Sequence, residues 1–163
     1  MPYELQALIG PVELITVAAA EVPAARIAPL GQGLALLPAT PVFLAALQLG
    51  GEEGAHGGEG GFEWFPGGFE RRLAAWSKAG PIACVEADYF GGTGTQRAAV
   101  WADGRLDLGP LTSAESEPFP PEGSPISRVL RRIGARVEGG HLDEFDAVGL
   151  PAHRSTSGWA AAG

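Results

Sequence analysis

Five polar side chains cluster around a glycine run. Glu86, Asp88 and Tyr89 precede Gly91-Gly92-Thr93-Gly94, and Gln96 and Arg97 follow it. On a strand, side chains alternate between faces, so Glu86 and Asp88 point the same way. Two carboxylates so placed can work as an acid–base pair or hold a cation. An arginine opposite one of them instead keeps it ionised. Setting Phe90 opposite Thr95 across a four-residue loop brings Arg97 opposite Asp88 and Gln96 opposite Tyr89. Cross-strand charge pairing is then the simplest account of the carboxylates. A ligand, if there is one, belongs at the corner of Glu86, Asp88, Tyr89, Gln96 and Arg97.

The remaining clusters of reactive residue types carry less. Glu52, Glu53, His56 and Glu59 are ligand types for a divalent metal. They lie in GGEEGAHGGEGG, and metal sites need ligands held by rigid elements, so a flexible loop at 50–61 with no metal is expected. His141, Asp143, Glu144 and Asp146 offer a second ligand set, but carboxylates there also suit the first turn of a helix. The glycine run leads from strand to strand and lacks the lysine and helix start of a phosphate cradle. Arg128, Arg131, Arg132 and Arg136 suggest an anion or nucleic-acid contact. No aromatic platform accompanies them, and acidic segments at 115–122 and 138–146 are available to neutralise them. Cys84 is the only cysteine, which excludes an intramolecular disulfide and a cysteine–zinc cluster. No nucleophile–histidine set is legible, and no cofactor is implied.

The elements that must position these residues are partly readable. Pro81–Pro110 reads as three antiparallel strands at 82–90, 95–102 and 105–109, turned at the glycine run and at Asp103-Gly104. Val85, Ala87, Ala98 and Val100 form a small apolar face suited to receiving a helix. Ile82, Cys84, Trp101, Leu106 and Leu108 lie on the other. Upstream, Tyr3–Ile9 reads as a strand and Arg26–Leu30 with Gly33–Leu37 as a hairpin; in Val12–Val22 the residues Val12, Leu14 and Ile15 favour a strand while the alanines at 18–20 tolerate a helix, and the strand is preferred. Helices are expected at 41–49, 68–79 and 125–134, with stripes of Phe43/Leu47, Phe69/Leu73/Trp76 and Ile126/Leu130/Ile133. Together these predict one α+β domain over residues 1–153, a mainly antiparallel sheet with helices packed on it, and a loose tail at 154–163.

Glu86-Ala-Asp-Tyr-Phe-Gly-Gly-Thr-Gly-Thr-Gln96, followed by Ala99-Val-Trp101, is similar to a stretch found in small uncharacterised bacterial proteins. Asp143-Glu-Phe-Asp-Ala-Val-Gly-Leu150 with His153-Arg154 resembles the close of the same proteins. The resemblance covers roughly the second half of the chain. It implies a shared fold and carries over no activity and no site residue.

The 163 residues carry a formal charge of −8. A diffuse acidic field disfavours nucleic acid and anionic membrane and speeds encounter with a basic partner. The amino terminus lacks the basic region of a signal peptide, and the apolar tract at 34–49 is cut by Pro38 and Pro41. A cytoplasmic protein off the membrane is therefore expected. The functional expectation is a non-enzymatic module that binds a protein, in the manner of an immunity or inhibitor protein against a basic toxin. The competing expectation is a small enzyme or ligand-binding protein built on the five-residue corner.

Overall fold

A computed structural model describes residues 2–22, 24–49, 69–90, 93–115 and 118–162. It places strands β1 (Tyr3–Pro11), β2 (Ala28–Pro29), β3 (Leu34–Pro38), β4 (Ile82–Phe90), β5 (Thr93–Ala102) and β6 (Arg105–Ser113). Helices are α1 (Val12–Ala20), α2 (Pro41–Leu49), α3 (Phe69–Ser77), α4 (Pro125–Arg132), α5 (Glu144–Val148) and α6 (Thr156–Ala162). The strands form one antiparallel sheet in the order β2-β3-β1-β4-β5-β6. The protein is an α+β domain, as the patterning predicts.

Helices cover both faces of the sheet. On one face Leu5, Ala7, Ile9, Val85, Ala98 and Val100 pack against Ile126, Val129 and Leu130 of α4, and against Trp159 of α6. The small side chains of β4 and β5 let α4 sit close, as the sequence predicts. On the other face Leu8, Leu37, Cys84 and Trp101 pack against Leu14 and Ile15 of α1, Phe43 of α2, and Leu73 and Trp76 of α3. The side chains of Leu47 and Phe69, expected in two of these stripes, lie outside the described residues, as do Glu52, Glu53, His56 and Glu59.

Local chemistry sets the element ends. Thr40 caps α2, its Oγ1 accepting from the Phe43 N–H at 3.1 Å, with Pro41 at the first helical position. Ser124 caps α4 in the same way, ahead of Pro125. Asp103 and Gly104 both take positive φ, 54° and 84°, as the tight hairpin turn demands. That turn docks on α3, where the Asp103 N–H donates to the Ser77 carbonyl and the Gly104 N–H to Ser77 Oγ.

Three expectations are corrected. Val12–Ala20 is a helix, not a strand. Its β-branched residues favour a strand locally, but as a helix the segment buries Leu14, Ile15 and Ala18 over β1 and β3. Leu108 packs with the α4 face and not with Trp101. An irregularity in the β5–β6 pairing between Val100 and Trp101 reverses the alternation there. The segment after His153 is an ordered clasp, not a loose tail. The first residues of β1 lack a β3 partner, and residues 154–156 take that place. Glu4 N–H donates to the Arg154 carbonyl at 2.9 Å, and Gln6 N–H to Thr156 Oγ1 at 3.0 Å. Trp159 is then 3% exposed. Among the described residues no helix is long and apolar enough to cross a membrane.

The clasp makes Trp159 a keystone of its face. Trp159→Ala should lower stability by about 3–5 kcal/mol in urea unfolding and speed hydrogen exchange at the Glu4 and Gln6 amides. An unchanged midpoint with protected amides would show that α6 does not hold β1.

Candidate functional site

The turn after β4 is tighter than the sequence reading supposes. Phe90 pairs with Thr93, leaving two residues between them instead of four. The register therefore slips by two positions along β5. Because side-chain direction has a period of two, every face assignment on this hairpin survives the slip while the partners change. Arg97 stands opposite Glu86, not Asp88, with Nη1 3.7 Å from Glu86 Oε1. Asp88 faces Thr95, Gln96 faces Ala87, and Tyr89 faces Gly94. A Cβ at Gly94 would run into the Asp88 carbonyl and the Tyr89 backbone, so that position has room only for glycine.

The pairings assemble a polar rung across four strands: Gln6, Glu86, Arg97 and Thr112 on β1, β4, β5 and β6. One rung inward on the same face are Leu8, Cys84 and Ala99, all buried. One rung outward are Glu4, Asp88 and Thr95. The sheet face thus switches from apolar core to polar surface within one step, where the helical cover stops. A hollow of about 330 Å3 lies over the rung, with Gln6, Glu86, Asp88, Thr95, Arg97 and Thr112 in its lining. Glu4 and Asp88, both acidic, are direct neighbours across β1 and β4. The Glu4 carboxylate accepts a 2.6 Å hydrogen bond from Thr156 Oγ1.

The five-residue corner is therefore divided. Glu86 and Arg97 belong to this rung and Asp88 to the next one outward on the same face, whereas Tyr89 and Gln96 point to the α4 side of the sheet. Gln96 has a structural duty that its position in the sequence does not betray. Its Oε1 accepts from the Ile126 N–H at 3.0 Å, tying β5 to the first turn of α4.

The other candidates resolve into structure. Arg131 Nε donates to Glu144 Oε2 at 2.8 Å, and Arg132 Nε lies 2.7 Å from Asp107 Oδ2, so two of the four arginines spend their charge inside the fold. Asp143 caps α5 through the Asp146 N–H, Glu144 turns to Arg131, and Asp146 accepts from Leu142 N–H beside His141. Among the described residues no three His, Cys, Asp or Glu side chains converge as a metal site would require. Cys84 is fully buried, and that burial, reinforced by Glu86, pushes its thiol well above the ordinary value. Gly91 and Gly92 lie outside the described residues. Comparison with protein-family models, with curated proteins and with solved structures finds no match to this chain.

Two measurements check these pairings. In a double-mutant cycle, Glu86→Gln and Arg97→Gln should couple by about 0.2–1 kcal/mol, while Asp88→Asn and Arg97→Gln should be additive. Coupling at Asp88 instead would restore the four-residue loop. Burial opposes ionisation of Glu144, but hydrogen bonds from Arg131 and the backbone outweigh it and hold its carboxyl below the ordinary value. A depressed folded pKa gives stability that is complete above the usual carboxylate range and is lost as pH falls through the folded value. Glu144→Gln should therefore destabilise at neutral pH, with the deficit shrinking in acid. A deficit constant from neutral pH into acid would show that the charge at Glu144 contributes nothing.

Proposed function

We propose that this protein is a non-catalytic binding module. It recognises another protein through the polar end of its sheet, and its partner is a basic toxin that it blocks as an immunity or inhibitor protein. The observation that carries this reading is the company kept by Phe90. It is 75% exposed at the end of β4, on the same face as Glu86 and Asp88. An exposed aromatic beside acidic side chains is the composition of an interface anchor next to its polar rim. Like charges directly opposed across two strands are destabilising, so the Glu4–Asp88 pair gains when basic side chains approach. The overall charge of −8 would steer such a partner at long range.

A second reading, a small enzyme or small-ligand site on the same rung, draws support from the hollow above Glu86 and Arg97. A thermal-shift panel of metals, nucleotides and small acids separates the two. Stabilisation that vanishes in Glu86→Gln supports the small-ligand reading.

The partner reading is tested with the purified product of a neighbouring toxin-like gene. Binding should neutralise the toxin and associate more slowly as salt rises. Phe90→Ala and Asp88→Lys should each weaken the complex roughly tenfold or more without lowering the melting temperature. A toxin-like neighbour that is neither bound nor neutralised, or binding indifferent to both substitutions, would sink it.

A further inference from the structure

On the opposite side of the sheet from the polar rung lies a second hollow of about 330 Å3. The strand register sets its floor. Tyr3 stands directly opposite Tyr89 across β1 and β4, and Ala87 directly opposite Gln96 across β4 and β5. Beside Tyr89 on β5 is Gly94, which has no side chain to share that floor. Phe145 of α5 meets Tyr3 edge to face, with ring centroids 5.5 Å apart. Phe119 stands at the mouth, 48% exposed, between Pro118 and Pro120, whose rings restrict the backbone on both sides. Four aromatic rings around one small alanine leave room for something flat.

Gln96 gives the hollow its polarity. A backbone N–H can only donate, so the bond from the Ile126 N–H fixes the oxygen of the Gln96 amide at α4. The other end of that amide is then an NH2 group, which makes no hydrogen bond among the described residues. The charges in the lining do not select an ion. They are Arg154 and Asp143, one of each sign, and both are already engaged. Arg154 Nε donates to the Pro2 carbonyl, and Asp143 Oδ1 accepts from the Asp146 N–H. An ionised ligand would lose water among the rings with no net charge to receive it.

We propose that this hollow binds a small neutral aromatic bearing a carbonyl oxygen, such as an aromatic amide. Its ring lies between Tyr89, Phe119 and Phe145, and its carbonyl oxygen accepts from the Gln96 NH2. The volume suits a ligand of one or two rings, at the lower end of small-molecule pockets. This site is independent of the partner-binding face. It lies across the sheet from Phe90 and Asp88, and either reading can fail without the other.

The test is an NMR titration of the whole chain with benzamide, alongside benzoate and benzamidine, which share its shape and carry opposite charges. Benzamide should move the signals of Tyr89, Phe119, Phe145 and the Gln96 side-chain amide. Each ion should bind more weakly, by roughly fivefold. Phe119→Ala, at an exposed position, should weaken benzamide binding roughly five- to tenfold. Gln96→Glu keeps an oxygen for the Ile126 N–H and replaces the NH2 by a second oxygen, so it should turn the preference from benzamide to benzamidine. If that variant folds poorly, Phe119→Ala and the order of the three ligands on the unaltered chain still decide. Unmoved aromatic signals at about 10 mM benzamide, or an ion binding as tightly as benzamide, would overturn the proposal.

Discussion

The architecture follows from one constraint: the middle of the sheet is apolar on both faces. Ile82, Ala83, Cys84 and Val85 are all fully buried, and β4 is hydrogen-bonded on both sides, to β1 and to β5. The five residues of β3 are buried as well. A sheet of this kind cannot leave one side to water, as many antiparallel sheets do. It needs cover above and below. The chain supplies it from two sources, α1, α2 and α3 on one side and the later helices on the other. The polar rung marks where that cover ends, so the candidate interface is a by-product of how far the helices reach.

That division explains what the sequence could disclose. The β4–β5 hairpin was legible because alternation and turn residues act over a few neighbours. Its faces were legible even with the wrong loop length, since an even slip leaves side-chain direction unchanged. Which residue met Arg97 was not, because partner identity depends on the loop count itself. The caps at Thr40, Ser124 and Asp143 are local chemistry and could be read directly.

Features decided at a distance were hidden. Val12–Ala20 has the residues of a strand and becomes a helix because Leu8, Leu37 and Phe43 need covering. Trp159 in an alanine-rich run offered one aromatic as its only sign of docking, and the strands that α6 packs on, β1, β2 and β3, lie more than a hundred residues earlier. Gln96 looks like a ligand-binding amide in sequence and turns out to hold the first turn of a helix some 30 residues on.

The clasp on β1 also has a consequence for how the chain is made. Thr156 reaches the Gln6 amide across 150 residues, so a ribosome has made most of the sheet before the edge of its first strand can be closed. Throughout that interval the N–H groups of Glu4 and Gln6 and the apolar side chain of Leu5 lack this partner. Long-range closure of this sort is slow and leaves an open strand edge to other chains. Glu4 puts a charge at that edge, and charged side chains are one of the ways proteins keep such edges from joining. The carboxylate that later accepts from Thr156 thus guards the nascent chain before it fastens the finished one.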